Sequence, residues 1–251
     1  TSAEFRKAAC CNLSASFETN ATVDVSMSDA VSGAKKIQLL GLDAAYTQLQ
    51  FENIPFLRGL ESAYGMSVIP GTWLESIQIT KGTGSVVNGY ESMAGLVNLE
   101  FKKPAEMPKL ALNVYQNRFG RSALNLHSGA KLNEHWHMGI FLHGATIYGR
   151  PDHNHDGFLD QTNGQTFSLL QRFAYQGKRM EAQLGLQAYA DRKNGGQVAY
   201  AQAVPGTYGM LLESQHLSLF SKTGFFGKKP AQSLGLIANI KYQDLSGFYG
   251  L

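Results

Sequence analysis

The 251-residue sequence has no long apolar run, and a membrane-spanning helix needs roughly 18 or more consecutive apolar residues. It is also poor in charge. Asp, Glu, Lys and Arg make up 16% of the chain, against roughly 25% in an ordinary soluble domain. The formal net charge is +3, and no basic run exceeds the pairs Lys35-Lys36, Lys102-Lys103 and Lys228-Lys229. A nucleic-acid partner is therefore not expected, because its electrostatic footprint is missing. The only cysteines are the neighbours Cys10 and Cys11. Two thiols can build neither a disulfide framework nor a four-thiolate zinc site. A bond between neighbours would be strained, so two thiols are favoured over a vicinal disulfide. No Ser/His/Asp set and no carboxylate pair stands at a spacing that identifies catalysis, so an enzyme is not expected. Gly84 and Gly89 carry phosphate-loop spacing, but Tyr90-Glu91 follows where Lys-Ser/Thr is needed. What the chain has in abundance is glycine, 27 residues, and aromatics, 11%. Aromatics at that level with so little net charge exclude disorder.

The texture changes near Pro104. Residues 1–104 mix a helical pattern over Glu4–Phe17 with short β-like pieces at Val23–Ser26, Ile37–Leu40, Thr47–Phe51, Ile77–Thr80 and Leu96–Phe101. Interleaved glycines and prolines make this a small α+β domain. Residues 105–251 alternate with period two in about seven strands of 8–13 residues. Leu184 and Leu186 alternate with Gln183 and Gln187, and Leu234, Leu236 and Ile240 with Asn239 and Lys241.

Strands in globular proteins are commonly five or six residues long, whereas transmembrane strands need about 9–11. Alternation alone does not say which face is outside, so a soluble barrel stays open at this point. Connection lengths favour the membrane. Turns near 118–121, 132–135, 176–179 and 227–231 are short, while 148–164 and 193–211 are long and polar. Long connections confined to one end are the habit of outer-membrane barrels. Trp136, Tyr148, Phe167 and Tyr175 are then expected near the interfaces. Leu184, Leu186, Leu234, Leu236 and Ile240 should face lipid, and Gln183, Gln187, Asn239 and Lys241 the lumen.

Residues 30–104 carry a more specific signal. Gly33 to Leu42 is followed by Leu49-Gln-Phe-Glu-Asn-Ile-Pro55 and Arg58-Gly59. Ile77-Gln-Ile-Thr-Lys-Gly-Thr-Gly-Ser-Val-Val-Asn-Gly89 and Gly95-Leu-Val-Asn-Leu-Glu-Phe101 come next. This order resembles the plug domain of TonB-dependent outer-membrane transporters. Glu52-Asn53 stands where that family usually has Asp-Gly, and Ala94-Gly95 where it has Gly-Gly. The resemblance implies an α+β plug, residues 1–104, inside a transmembrane antiparallel β-barrel that begins at residues 105–251. A family barrel has 22 strands, so the remaining strands, and a TonB-engaging segment upstream of Thr1, are expected in a longer chain. It also implies active import of a scarce solute: a siderophore, cobalamin, haem, metal chelate, glycan or peptide. The implied partners are a TonB-type energy-coupling protein in the periplasm, outer-membrane lipid and a surface lipoprotein. The implied location is the outer membrane of a Gram-negative bacterium. A barrel of this family acting as a scaffold or partner-docking platform is the alternative.

Two candidate sites follow. Asp152-His-Asn-His-Asp-Gly-Phe-Leu-Asp160 matches the first nine positions of an EF-hand-type calcium loop. Asp152, Asn154, Asp156 and Asp160 would offer side-chain oxygens and Phe158 its carbonyl, with Gly157 at the sharp turn. Asn163 replaces the bidentate Glu, so weak affinity of about 10⁻⁴–10⁻³ M is expected. A polar loop tip is the alternative. The histidines 127, 135, 137, 143, 153 and 155 are expected as polar lining rather than as zinc or copper ligands. The resemblance places Arg58, Tyr64, Met66 and Trp73 in plug loops that face the external vestibule and touch the transported ligand.

Overall fold

Period-two alternation over long stretches forms long strands, because alternate side chains then reach opposite faces of one sheet. In a computed structural model, the residues described are Leu13, Phe17, 23–29, 31–58, 65–85, 92–149, 152–200, 204–229 and 232–250. The first hairpin pairs β1 (Asp24–Asp29) with β2 (Ala34–Gln38). A four-stranded sheet follows, built from β3 (Thr47–Phe51), β4 (Ile54–Pro55), β5 (Leu74–Lys81) and β6 (Gly95–Phe101) in the order β4-β3-β6-β5. β3 runs parallel to β6, while β5 runs antiparallel to it. Of the helical pattern over Glu4–Phe17, Leu13 and Phe17 are helical and fully buried. The rest, with Cys10 and Cys11, lies outside the described residues.

The turn from β3 to β4 is the two-residue link Glu52-Asn53, with φ of 50° and 64°. Positive φ at both central residues is the hairpin turn that matches strand twist. Asn tolerates that region and Glu does so poorly. The Asn53 N–H donates to Asn98 Oδ1 on β6 at 2.8 Å, fixing the turn to the sheet.

Residues 111–250 form one seven-stranded antiparallel meander. Its strands are β7 (Ala111–Gln116), β8 (Arg121–Lys131), β9 (Trp136–Ile147), β10 (Asn163–Gln176), β11 (Met180–Gly196), β12 (Gly209–Phe226) and β13 (Ser233–Gly250). The expected strand count holds, but β11, β12 and β13 are 17, 18 and 18 residues long, beyond the 8–13 expected. Apolar alternation stops before the ladder does: Asp191, Arg192 and Lys193 on β11 remain paired with Ser214, Glu213 and Leu212 on β12.

Register makes the two faces legible. On one face Leu112, Leu126, Leu142, Leu169, Ala188, Leu217 and Tyr242 stand side by side across all seven strands. Leu112, Leu217 and Tyr242 in that row are strongly exposed. On the opposite face the neighbouring row is Asn113, Asn125, His143, Ser168, Tyr189, His216 and Gln243. There Asn125, His143, Ser168, Tyr189 and His216 are all buried. This sheet exposes its apolar face and buries its polar one.

What buries the polar face is the N-terminal module. Phe51 packs edge-on against Phe220 of β12 at 5.1 Å between centroids, and Trp73 lies 5.5 Å from Phe141 of β9. The link from β6 to β7 crosses the same face. It fits because Gly129 and Gly139 have no side chain: a Cβ on Gly129 would sit 2.8 Å from the Pro104 carbonyl oxygen and 2.6 Å from Met107 Cβ.

Candidate functional site

The centre of the seam between module and sheet is an ion pair. Arg172 enters from β10, with Gly139 beside it on β9 and Gly185 on β11. Its Nη1 lies 3.0 Å from Glu52 Oε1, and both side chains are almost wholly buried. The same guanidinium donates to the carbonyls of Phe101 and Lys102, each at 3.4 Å, and to Gln183 Oε1 at 3.0 Å. Glu52 Oε1 also accepts the Phe101 N–H at 3.2 Å, and Lys222 Nζ on β12 reaches the Glu52 carbonyl at 3.2 Å. Burial pushes the Glu52 carboxyl above the usual range despite Arg172, which pulls the other way. Thus one arginine of the sheet grips Phe101, Lys102 and Glu52 of the N-terminal module, the last in the turn whose backbone is held at positive φ.

Nearer the long-loop end, a partly open cavity of about 310 Å³ lies between the module and the sheet. Ser32, Gly33 and Ser67 form one side; Arg121, Asn163, Asp191 and Lys193 form the other. The Asp29 carboxylate accepts the N–H groups of Val31 and Ser32, which fixes the β1–β2 turn there. Lys193 Nζ donates to Ser67 Oγ at 2.7 Å and pairs with Asp191 at 3.2 Å. Asp191 also accepts the Thr166 hydroxyl at 2.6 Å. Nearby, Ser168 Oγ donates to the Val68 carbonyl at 2.7 Å. Arg121 Nε and Asn163 Oδ1 are buried with no partner among the described residues. A cavity with an orphan donor and an orphan acceptor is suited to a polar ligand or to water.

The expected vestibule residues do not gather here. Trp73 and Met66 are corrected: both are core residues, 0% and 2% exposed. Trp73 ends the short 3-10 turn Gly71–Trp73 and packs against Phe101, Phe141 and His143. Burying a large aromatic is favoured over exposing it at a loop. Arg58 is half-buried, and Tyr64 lies outside the described residues. Ser67, next to Met66, is the module residue that borders the cavity.

In the Asp152–Asp160 loop, Asp152 folds the backbone. Its carboxylate accepts the N–H groups of Asp156 and Gly157, each at 3.1 Å. Asp156 accepts the N–H of Phe158, and the Asn154 amide donates to Asp156. Asp160 accepts both the N–H and ring N–H of His153, which hold its carboxyl below the usual range. Among the described residues, no group of three or more His, Cys, Asp or Glu side chains is placed to hold a metal ion. On either side of Phe158 the loop is fastened to the next long connection: Leu159 N–H donates to Gly196 O and Val198 N–H to Gly157 O, both at 2.9 Å. His127, His137, His143 and His216 line the buried polar face, as expected for the first three. Sequence reasoning missed the Glu52–Arg172 pair; the available signal was an arginine in mid-strand on the inward parity.

No family model matches the sequence, and no curated protein does. Solved structures do match. The ferric enterobactin receptor PfeA of Pseudomonas aeruginosa, in complex with enterobactin, aligns over 95% of this chain and 44% of its own length, at 14% identity and TM-score 0.59. FpvA of P. aeruginosa, bound to pyoverdines, aligns over 96% and 41% at 10% identity and TM-score 0.61. The siderophore receptor PirA of Acinetobacter baumannii aligns over 95% and 42% at 14% identity and TM-score 0.58. The chain therefore has the fold of TonB-dependent receptors and spans less than half the length of these structures.

Proposed function

We propose that this chain is the plug and the first part of the barrel of a TonB-dependent receptor that imports a scarce solute across an outer membrane. One observation carries the reading: the sheet buries polar side chains and exposes apolar ones. In water the reverse is stable, because each exposed apolar Å² costs about 25 cal/mol. In lipid the arrangement is the favoured one. Band height agrees. From Gln215 to Phe225 on β12 is ten residue steps, about 34 Å of strand; a tilt of ~40° projects this to about 26 Å, against an apolar band of about 25 Å. Trp136 and Tyr175, paired at 5.2 Å, sit toward its short-turn end. On this reading Leu184, Leu186, Leu234, Leu236 and Ile240 face lipid. Residues 1–104 fill the lumen against Gln183, Gln187 and their row-mates.

The cavity between Ser67 and Lys193 is the entry point for the solute on the external side, and displacement of the plug by a TonB-type protein opens the path. Siderophores and metal chelates come first in the search, since the structural neighbours include siderophore receptors and a copper transporter. The test is growth of an import-deficient strain on a panel of ferric siderophores, haem, cobalamin, copper chelates and glycans, with the full-length protein and with or without TonB. Rescue that needs both supports the proposal. Recovery of the full-length protein in a detergent-free soluble fraction overturns it.

Calcium belongs to the same proposal. Asp152, Asn154, Asp156, Asp160 and the Phe158 carbonyl would turn onto one cation, and the bonds from Gly157 and Leu159 to residues 196–198 would pass the stiffening to the neighbouring loop. Support comes from oxygen donors at alternate positions, with Gly157 at φ 82° in the sharp turn. Millimolar calcium should slow proteolysis within 152–200 in the wild type and leave Asp156→Ala unchanged. Equal cleavage with calcium and with chelator would reduce the loop to a polar tip.

A further inference from the structure

We propose that the cavity between the N-terminal module and the sheet binds its solute through a carboxylate flanked by an O–H or N–H donor, an inference that rests on the import reading above. Register places the two residues that carry it. Arg121 on β8, Ile147 on β9, Gly164 on β10 and Lys193 on β11 form one inward row at the long-loop end. Gly164 leaves a gap in that row, and no larger residue fits, because a Cβ there would collide with the Arg192 carbonyl oxygen. Asn163 precedes Gly164, so β9 separates it from Arg121. Two strand spacings of about 4.8 Å put their backbones roughly 10 Å apart, a distance that the arginine stem largely spans. Both residues line the cavity.

The charges of the wall fall into pairs with one left over. Lys193 pairs with Asp191 at 3.2 Å, Arg192 with Glu213 at 3.3 Å, and Asp160 with His153 at 2.7 Å. Arg121 has no carboxylate partner among the described residues, and its buried Nε has no acceptor. A guanidinium fork matches a planar carboxylate, to which it gives two parallel N–H bonds. Asn163 sets the second requirement. Its Nδ2 donates to the Gly149 carbonyl at 2.7 Å, which fixes the amide and leaves Oδ1 buried and unpartnered. That oxygen only accepts, so the solute must bring a donor. Two chemistries carry a donor beside a carboxylate: a hydroxycarboxylate, and the free C-terminus of a short peptide with its last amide N–H. The remaining wall argues against other solutes. None of its side chains is aromatic, so haem or a catechol finds no ring to stack on. A volume of about 310 Å³ holds about ten waters, which suits a small hydrophilic head.

The test is calorimetric titration of the full-length protein with two matched pairs of probes and with inorganic phosphate. Citrate is set against tricarballylate, which lacks the hydroxyl, and trialanine against trialanine amide, which lacks the carboxylate. At least one pair should split roughly tenfold in affinity. A split in the first identifies a hydroxycarboxylate, and a split in the second a peptide terminus. Arg121→Gln should abolish binding of the preferred probe, and Arg121→Lys, which keeps the charge without the fork, should retain part of it. The Arg121 head group has no partner to lose, so Arg121→Gln should keep the wild-type thermal midpoint without ligand. Absence of binding, equal affinities within both pairs, or phosphate bound as tightly as the preferred probe would each overturn the proposal. So would Arg121→Gln binding like the wild type, or a lowered midpoint, which would assign Arg121 to the fold. TonB-dependent growth on haem or a catecholate chelate, but on no carboxylate solute, would overturn the proposal and leave the import reading standing. Growth on no solute at all would overturn the import reading instead.

Discussion

Replacing Arg172 with methionine tests the seam most directly. Methionine keeps much of the volume and removes the charge. Glu52 then loses its 3.0 Å partner while remaining buried. Removing one member of a buried pair costs about 3–5 kcal/mol, because the other charge stays uncompensated. Glu52→Gln should cost less: the amide keeps the Phe101 N–H bond, and Arg172 keeps the Phe101, Lys102 and Gln183 oxygens. The double variant should cost less than the sum of the singles, since neither charge is stranded. The assay is amide hydrogen exchange of the segment 95–102 in the full-length protein. The pH dependence has a definite sign. Glu52's folded pKa is raised by burial, so the docked state binds more protons than the released one. Docking is firmest below the ordinary glutamate range and weakens as pH rises through the folded pKa. Arg172→Met removes the main opposing influence, raising that pKa further. Its loss of protection at neutral pH should therefore recover on acidification, and Glu52→Gln should abolish the pH dependence of the segment. Unchanged protection in Arg172→Met, or a deficit independent of pH, would refute the reasoning.

Arginine in place of Leu219, an exposed outward residue near the middle of the Gln215–Phe225 band, should destabilise the folded barrel in lipid by about 2–4 kcal/mol; a neutral result in a folding titration into vesicles would reverse the facing. Gly129→Ala should lower the thermal midpoint of the full-length protein, because its methyl meets the Pro104 carbonyl oxygen and Met107 Cβ inside 3 Å. An unchanged midpoint would mean that the 104–107 link shifts freely. Asn53→Gly relieves a non-glycine residue at φ 64° and keeps the N–H that binds Asn98. Because Asn already tolerates that region and glycine adds entropy to the unfolded chain, the module's stability should change by less than about 0.5 kcal/mol; local exchange of residues 49–56 faster or slower than that would refute the reading.

The strands were legible where hydrophobic alternation ran on. Thr47–Phe51 is recovered to the residue, and all seven strands of the meander are present. The ends were not legible. Alternation reports only on the stretch whose outward face is apolar, and hydrogen-bond ladders continue through Asp191–Lys193 into the loops without it. Trp73 and Met66 were misplaced for the opposite reason. A residue between two strands looks exposed in sequence, yet the Gly71–Trp73 turn folds its indole inward onto Phe101 and Phe141. The ion pair needed the third dimension. Glu52 and Arg172 were each visible, one as a departure from a turn motif and the other as an inward-facing charge, but 120 positions separate them and no local pattern joins them.

The makeup of the seam bears on how the N-terminal module is held to the sheet. Along the rows nearest the long loops the contacts are hydrogen bonds to water-competent groups: Lys193 to Ser67 and Ser168 to Val68. Water can replace these at a net cost of only about 0.5–1.5 kcal/mol each. The resistant part is further in, where Phe51 packs on Phe220 and Trp73 on Phe141 around the Arg172–Glu52 pair. Those contacts lose buried apolar area and strand a charge together, so they release as a unit. A pull on residues N-terminal to β3 meets the β3–β6 ladder first and then the β3–β4 turn, where Glu52 sits. Its left-handed backbone leaves little slack to absorb the displacement. The buried pair thus ties the β3–β4 turn to β10, while water can replace the contact beside Lys193 without disturbing it.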